Sequence, residues 1–231
     1  MTIKAILFDV DNTLLDFSSM KEMAVKAAIM SLKDHGLRMD KDEAYEKLMR
    51  IYWDLGIESD IWISEFLKKY DSVSDIKIIA AINAYRKVKN TYLEPFPTVY
   101  STLIALIKKG IKLGVISDAP RLKVLKRLEI AKLLPFFDII ISDARKPEET
   151  SYKKAIKNFD INAKETLMVG DWPETDLAGA ENVGIKTCHA KYRYVKRIDD
   201  GRLIKKVKIK PDYEINNFYE ILDIINKESK I

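Results

Sequence analysis

Four short stretches hold residues whose types and spacing could do chemistry. In Phe8-Asp9-Val10-Asp11-Asn12-Thr13 two carboxylates stand two residues apart, directly after an apolar run. In extended backbone both side chains leave on the same face. Two such carboxylates repel unless one is protonated or a cation intervenes. A hard cation with oxygen ligands, such as Mg²⁺, relieves that repulsion and suits a phosphate ester as substrate. One acid can then attack phosphorus while the other moves a proton. Against this stands the ordinary use of Asp, Asn and Thr in turns and helix caps. In Gly170-Asp171-Trp172-Pro173-Glu174-Thr175-Asp176 an apolar run again ends in acids, five positions apart, where a helix is expected to begin. Asp171 is placed for a metal, although an acid in a first helical turn is favourable through the helix dipole alone. Between these stretches lie Ser117, whose hydroxyl could bind a phosphoryl oxygen, and Lys146, whose ammonium could neutralise a nucleophile and developing phosphoryl charge. Singly, such a serine is a turn residue and such a lysine a solvated charge.

What makes the four cohere is the pattern of elements that must position them. Short apolar runs alternate with longer amphipathic stretches. Strands are expected at Ile3–Phe8, Lys112–Ser117, Phe137–Ser142, Thr166–Val169 and Lys186–Ala190. Helices are expected from Pro97 or Thr98 to Lys109 (closed by Gly110), and at Arg121–Lys132, Glu149–Phe159 and Glu174–Val183 (with Pro173 at its start and Gly184 past its end). Buried strands alternating with helices specify a parallel sheet covered on both faces, and each candidate stretch follows the end of its own strand. That edge is where an open parallel sheet binds its ligand.

The stretch from Asp16 to about Tyr92 breaks the rhythm. It offers helical patterns at Met20–His35, Lys41–Leu55, Asp60–Tyr70 and Ser74–Thr91, with Ala44, Leu48, Ile51, Tyr52 and Leu55 at helical spacing. A crossover between parallel strands needs only about a dozen residues, so this reads as an inserted helical module. The expected organisation is a Rossmann-like parallel-sheet core over 1–15 and 93–231 with an α-helical cap over 16–92. Near the C-terminus, Arg202–Lys210 alternates apolar residues with lysines and reads as one arm of a hairpin, followed by a strand, turn and helix over Tyr213–Ile225.

Composition narrows the rest. A net charge of +5 over 231 residues, without a dense basic stripe interleaved with aromatics, does not point to nucleic acid. No run approaches the roughly 18 apolar residues of a membrane helix, and the N-terminal apolar stretch is too short for a signal peptide. One cysteine, Cys188, precludes an internal disulfide and fits a reducing, cytoplasmic setting. The two histidines, His35 and His189, lie in no zinc-type spacing.

At this point the chain resembles the haloacid dehalogenase-like hydrolase superfamily. The run from Ala5 to Leu14 looks like its first motif, Ser117 its second, Lys146-Pro147 its third, and Gly170-Asp171 through Asp176 its fourth, with the insertion where that family carries its first type of cap. The resemblance implies roles. Asp9 would be the nucleophile that forms an aspartyl-phosphate and would also bind Mg²⁺. Asp11 would be the general acid and base, with its carbonyl on the metal. Asp171 would be a further metal ligand, and Asp176 would act from the outer shell. Ser117 and Lys146 would hold the phosphoryl group, while Thr13 and Asp118 would complete the substrate side. The sequence departs from the pattern in Ala119-Pro120 after Ser117-Asp118, in Glu149, and in Arg145 beside Lys146, which leaves two cations competing for one role.

The reaction implied is Mg²⁺-dependent hydrolysis of a small phosphorylated metabolite, of the sugar or triose phosphate class. The whole-chain pattern is similar to archaeal members assigned to glyceraldehyde 3-phosphate dephosphorylation. On the same core, a 2-haloacid dehalogenase would need no proton shuttle, so Asp11 argues for phosphate transfer, whereas a phosphomutase would differ in how water is excluded. A phospho-receiver module or a non-catalytic binding protein is the rival of another class. Receivers lack so large an insertion.

Overall fold

The computed structural model describes residues 2–55, 61–192 and 209–229. Its contacts divide these residues into two compact units, one of 2–16, 94–192 and 209–229, the other of 17–55 and 61–93.

The first unit is a parallel sheet with helices packed on it. The strands are β1 (Ala5–Phe8), β2 (Lys112–Ile116), β3 (Ile139–Ile141), β4 (Thr166–Gly170), β5 (Lys186–Ala190) and β6 (Tyr213–Ile215). They lie side by side in the order β3-β2-β1-β4-β5-β6, every pair parallel. The apolar runs explain this. All four residues of β1 and all five of β4 are buried, as strands covered on both faces must be. The chain builds outward from β1 through β2 to β3, then crosses back to lay β4 on the other side of β1. Between β1 and β4 the winding reverses, and a reversal of this kind opens a crevice beyond the strands' carboxyl ends. Asp9 and Asp171 are the residues that follow those two strands.

The helices of this unit are α5 (Val99–Lys108), α6 (Arg121–Ile130), α7 (Glu149–Phe159), α8 (Ala178–Asn182) and α9 (Ile221–Glu228). Leu7, Ile116, Ile141, Tyr152, Phe159, Met168 and Leu177 belong to one buried cluster beneath them. Burying such a side chain is worth about 1.5–3 kcal/mol. One expectation needs correction. The single helix anticipated over Glu174–Val183 is instead a π-type turn at Pro173–Leu177 followed by α8. Pro173 has no N–H to give and sits in that first turn, and the wide turn buries Thr175, Asp176 and Leu177 together.

The described elements of the second unit are all helices: α1 (Phe17–Asp34), α2 (Lys41–Leu55), α3 (Trp62–Tyr70) and α4 (Asp75–Thr91). Asp40 caps α2 by accepting the N–H groups of Asp42 at 2.8 Å and Glu43 at 3.3 Å. Met20, Ala24, Val25, Ala28 and Leu32 give α1 a buried face at helical spacing. The arm expected over Arg202–Lys210 lies outside the described residues except for its last two positions. No described helix is long and apolar enough to cross a membrane.

Candidate active site

Asp9 is fixed by the sheet itself. It follows β1, and its N–H donates to the Val169 carbonyl of the neighbouring strand at 3.0 Å. The chain then folds into a tight turn. The Leu14 and Leu15 N–H groups both donate to Val10 O at 3.0 Å, the Asn12 N–H donates to Leu15 O at 2.8 Å, and Asn12 takes the left-handed φ of 63° that asparagine tolerates well. The turn sets Asp11 apart from Asp9. One carboxylate oxygen of Asp11 lies 3.0 Å from the Nη1 atom of Arg127, a buried side chain on α6. Thr13 is fully buried, and its hydroxyl makes no hydrogen bond among the described residues.

Ser117 ends β2 and is buried; its N–H donates to Ile141 O at 2.9 Å, and its Oγ accepts the Ala119 N–H at 3.2 Å. Asp118, exposed beside it, accepts the Lys146 backbone N–H at 2.7 Å. The Ser117 and Lys146 stretches are thereby tied together. Lys146, whose peptide bond to Pro147 is cis, turns its side chain inward. Its Nζ donates to Asp9 Oδ1 and to Asp176 Oδ1, both at 2.6 Å, with only 3% of the side chain exposed. Arg145, at a left-handed φ of 55°, is exposed. Of the two cations, Lys146 is the one inside.

Asp176 is buried on the π-type turn. Its second oxygen accepts the Trp172 N–H at 2.9 Å, and its backbone carbonyl accepts the Tyr152 hydroxyl at 2.8 Å. Gly170 makes this placement possible, because a Cβ there would meet the Asp176 side chain at 2.4–2.6 Å. Asp171 is half-buried, and its carbonyl oxygen lies 3.2 Å from His189 Nε2, a bond that requires the Nε2–H tautomer. Burial depresses the His189 pKa, which favours the neutral ring.

Three carboxylates converge. One oxygen each from Asp9, Asp171 and Asp176 lies within 4.8 Å of the others. The electrostatics record the crowding. Burial raises the Asp9 carboxyl to about 7 despite the neighbouring ammonium, with Asp176 and Asp11 adding to the rise. Burial alone would lower the Lys146 ammonium, yet Asp176 and Asp9 outweigh it and hold the pKa well above the ordinary value. One buried ammonium thus binds two of the three acids. Hard oxygen donors at this density fit a hard divalent cation such as Mg²⁺. The Asp11 carboxylate is not one of the three. Its charge is met by Arg127, so a part for Asp11 in metal binding falls to its carbonyl.

The sequence-derived residues Asp9, Lys146, Asp171 and Asp176 are brought together, with Ser117 and Asp118 on the adjoining loop. Arg127, Tyr152 and Tyr192, whose hydroxyl donates to the Thr13 carbonyl, are not marked by the sequence motifs. Arg127 left one trace. It falls between Val124 and Leu128 on the buried face of α6, where helical spacing calls for an apolar residue.

The chain is similar to known proteins along most of its length. The family model described as haloacid dehalogenase-like hydrolase matches residues 6–190. The chain is 34% identical to the glyceraldehyde 3-phosphate phosphatase of Pyrococcus furiosus, over 98% of this chain and 95% of that protein. It is 33% identical to the protein of the same name from Methanocaldococcus jannaschii, over 99% of both. Among solved structures, a HAD phosphatase from Thermococcus onnurineus superposes with a TM-score of 0.66 at 26% identity, covering 96% of this chain and 98% of that one. A haloacid dehalogenase-like family hydrolase from Xanthomonas campestris gives 0.70 at 15% identity, covering 100% and 99%, a likeness of fold alone.

Proposed function

This chain belongs to the haloacid dehalogenase-like hydrolases, and from that premise we propose that it hydrolyses glyceraldehyde 3-phosphate, or a phosphomonoester of similar size, with Asp9 as nucleophile. The observation that carries the reading is the Asp9 carboxylate, held by Lys146 at 2.6 Å at the reversal of the sheet, with Asp171 and Asp176 oxygens within 4.8 Å. Mg²⁺ held by Asp9 and Asp171, with Asp176 and the Asp11 carbonyl in support, supplies the charge that lets an anionic carboxylate approach an anionic phosphate.

The protein's own groups do the rest. Asp9 attacks phosphorus, and the phosphoryl group moves onto its carboxylate as the ester oxygen departs. Asp11 gives that oxygen its proton, then takes one from the water that cleaves the acyl phosphate. Lys146 favours the ionised form of Asp9 and neutralises the phosphoryl oxygens, and Ser117 donates to one of them. Asp118 holds the Lys146 backbone, and Thr13 braces the turn that bears Asp11. The helical unit of residues 17–93 acts as a cap that selects the substrate and excludes water. The setting is the cytoplasm and the partner a small metabolite.

The substrate rests on the names of the relatives. Phosphate release is measured over a panel of phosphorylated metabolites with Mg²⁺, beside p-nitrophenyl phosphate and pyrophosphate. Turnover led by a triose phosphate and abolished in Asp9→Asn is expected. Activity retained in Asp9→Asn would sink the nucleophile assignment, and preference for pyrophosphate would replace the substrate.

A further inference from the structure

Tyr192 lies two residues past β5. Its hydroxyl donates to the carbonyl oxygen of Thr13. Its ring packs edge-on against Phe96, with centroids 4.9 Å apart and planes at 71°. Phe96 belongs to the returning strand of a short two-stranded connection. Its N–H donates to Leu14 O at 3.0 Å, the Asp16 N–H donates to Glu94 O at 3.0 Å, and Leu15 pairs antiparallel with Pro95. Through this connection the chain leaves for the helical unit and comes back. Tyr192 therefore touches both the connection and the turn that carries Asp11.

The turn's own hydrogen bonds run between Val10, Asn12, Leu14 and Leu15. They fix its shape but not its place. The buried hydroxyl of Thr13 makes no hydrogen bond, so the bond from Tyr192 to the Thr13 carbonyl is the polar restraint this residue has among the described residues. Burial, with Cys188, Asp171 and Asp9 nearby, holds the Tyr192 hydroxyl well above the usual phenol range, so it stays a donor at every working pH.

We propose that Tyr192 is a positioning residue for Asp11: by holding the Thr13 carbonyl it locks the turn to the two-stranded connection and sets where Asp11 delivers its proton. This rests on the phosphatase reading. It has a specific consequence, because a proton matters most to a leaving oxygen that is strongly basic. An alkyl phosphate expels an alkoxide and needs the proton early, whereas p-nitrophenyl phosphate expels a stable phenolate and needs it little.

Tyr192→Phe keeps the ring and its edge contact and removes only the hydroxyl. The variant is expected to lose about tenfold or more in kcat on glycerol phosphate and less than about twofold on p-nitrophenyl phosphate, since only the general-acid contribution is at stake. KM is expected to hold within about twofold, as uniform binding is untouched. Phe96→Leu, which keeps the hydroxyl bond and removes the ring edge, is expected to show the same bias more weakly. A second measurement needs neither metal nor substrate. Amide exchange at Asn12, Leu14 and Leu15 is expected to speed up about tenfold in Tyr192→Phe while β1 and β4 are unchanged, the mark of local opening. Equal losses on both esters, no loss, or unchanged exchange in the turn would each overturn the proposal. A parent protein inactive on every ester would overturn the phosphatase reading instead, and the exchange result would still decide the placement of the turn.

Discussion

Lys146 and Lys21, one in each unit, both bury the side chain, and they are held in opposite ways. Lys146 reaches between two carboxylates, 2.6 Å from each. Lys21, on α1 of the helical unit, stands 3.3 Å from the ring centroid of Tyr52, 4.7 Å from that of Tyr85 and 5.2 Å from that of Trp62, and donates to the Tyr85 hydroxyl at 2.8 Å. Tyr52, Trp62 and Tyr85 also pack edge-on in a chain, Tyr52 to Trp62 and Trp62 to Tyr85. Aromatic faces attract a cation without demanding a single geometry and are worth about 0.5–2 kcal/mol. Carboxylates in a dry site act more strongly and constrain more. With three acids converging and one ammonium bonded to two of them, the core site carries a charge imbalance that a divalent cation and a phosphate would resolve. The rings around Lys21 create no such surplus. A charge buried for catalysis is left under tension, whereas one buried for architecture is accommodated where it stands.

The largest effect that can test this contrast comes from Asp9→Asn. Turnover is expected to fall by about 10⁴-fold or more, since a carboxamide cannot take the phosphoryl group. Stability is expected to move the other way. The folded Asp9 carboxyl sits at about 7, well above the ordinary aspartate value. A raised carboxyl favours the fold below its unfolded pKa, and that advantage is lost as pH rises through about 7. The metal-free parent should therefore lose stability between about pH 4 and 7, and Asp9→Asn should flatten that slope. Melting in a chelator across this range reads it directly. A parallel slope in parent and variant would show that the site stores no such tension.

Lys146→Met removes the cation and strands Asp9 and Asp176. Loss of one partner of a buried charge pair costs about 3–5 kcal/mol, and kcat is expected to drop about 10³-fold with the electrostatic support. Lys146→Arg should not restore activity, because a planar fork cannot occupy the space of a compact ammonium. Gly170→Ala comes next, at about 2–3 kcal/mol, because its Cβ must displace Asp176. If Asp176 positions Lys146, kcat should fall more than KM changes. A stable Gly170→Ala protein with normal kcat would remove Asp176 from the account.

How much of this was legible in the sequence follows from the same contrast. The sheet was readable because buried parallel strands must be apolar runs, and Ala5–Phe8 and Leu167–Val169 are such runs. The acids were readable because strand ends collect a site, so Asp9 and Asp171 are marked by what precedes them. Arg127 and Lys21 were not. Each occupies a helical position whose neighbours (Val124 and Leu128, Ala24 and Val25) are buried. Periodicity records that a polar residue interrupts a face but not what that residue meets across it, because its partners are distant in sequence. Long basic side chains also lie along apolar surface with the charge in water, which makes the commoner reading the wrong one here. Pro173 was read as a helix start, and the wider turn it opens depends on how Asp176 fits against Gly170, a contact with no local signature.

The smallest effect belongs to Lys21. Lys21→Met keeps the length of the side chain and removes the ammonium, so the three rings lose a cation and Tyr85 loses the donor at 2.8 Å. The expected cost is about 1–2 kcal/mol, the sum of a modest cation–π term and one hydrogen bond. The rings themselves add no pH slope, since an aromatic ring does not titrate in the working range. If the lysine serves packing alone, kcat on the best substrate should stay within about threefold, because truncations remote from chemistry act through stability. Urea unfolding followed by tryptophan fluorescence suits the measurement, as Trp62 stands 5.2 Å from the ammonium and reports on that neighbourhood. A Lys21→Met protein as stable as its parent but far slower would erase the contrast between the two buried cations, and Lys21 would then belong with Lys146 among the groups that serve the reaction.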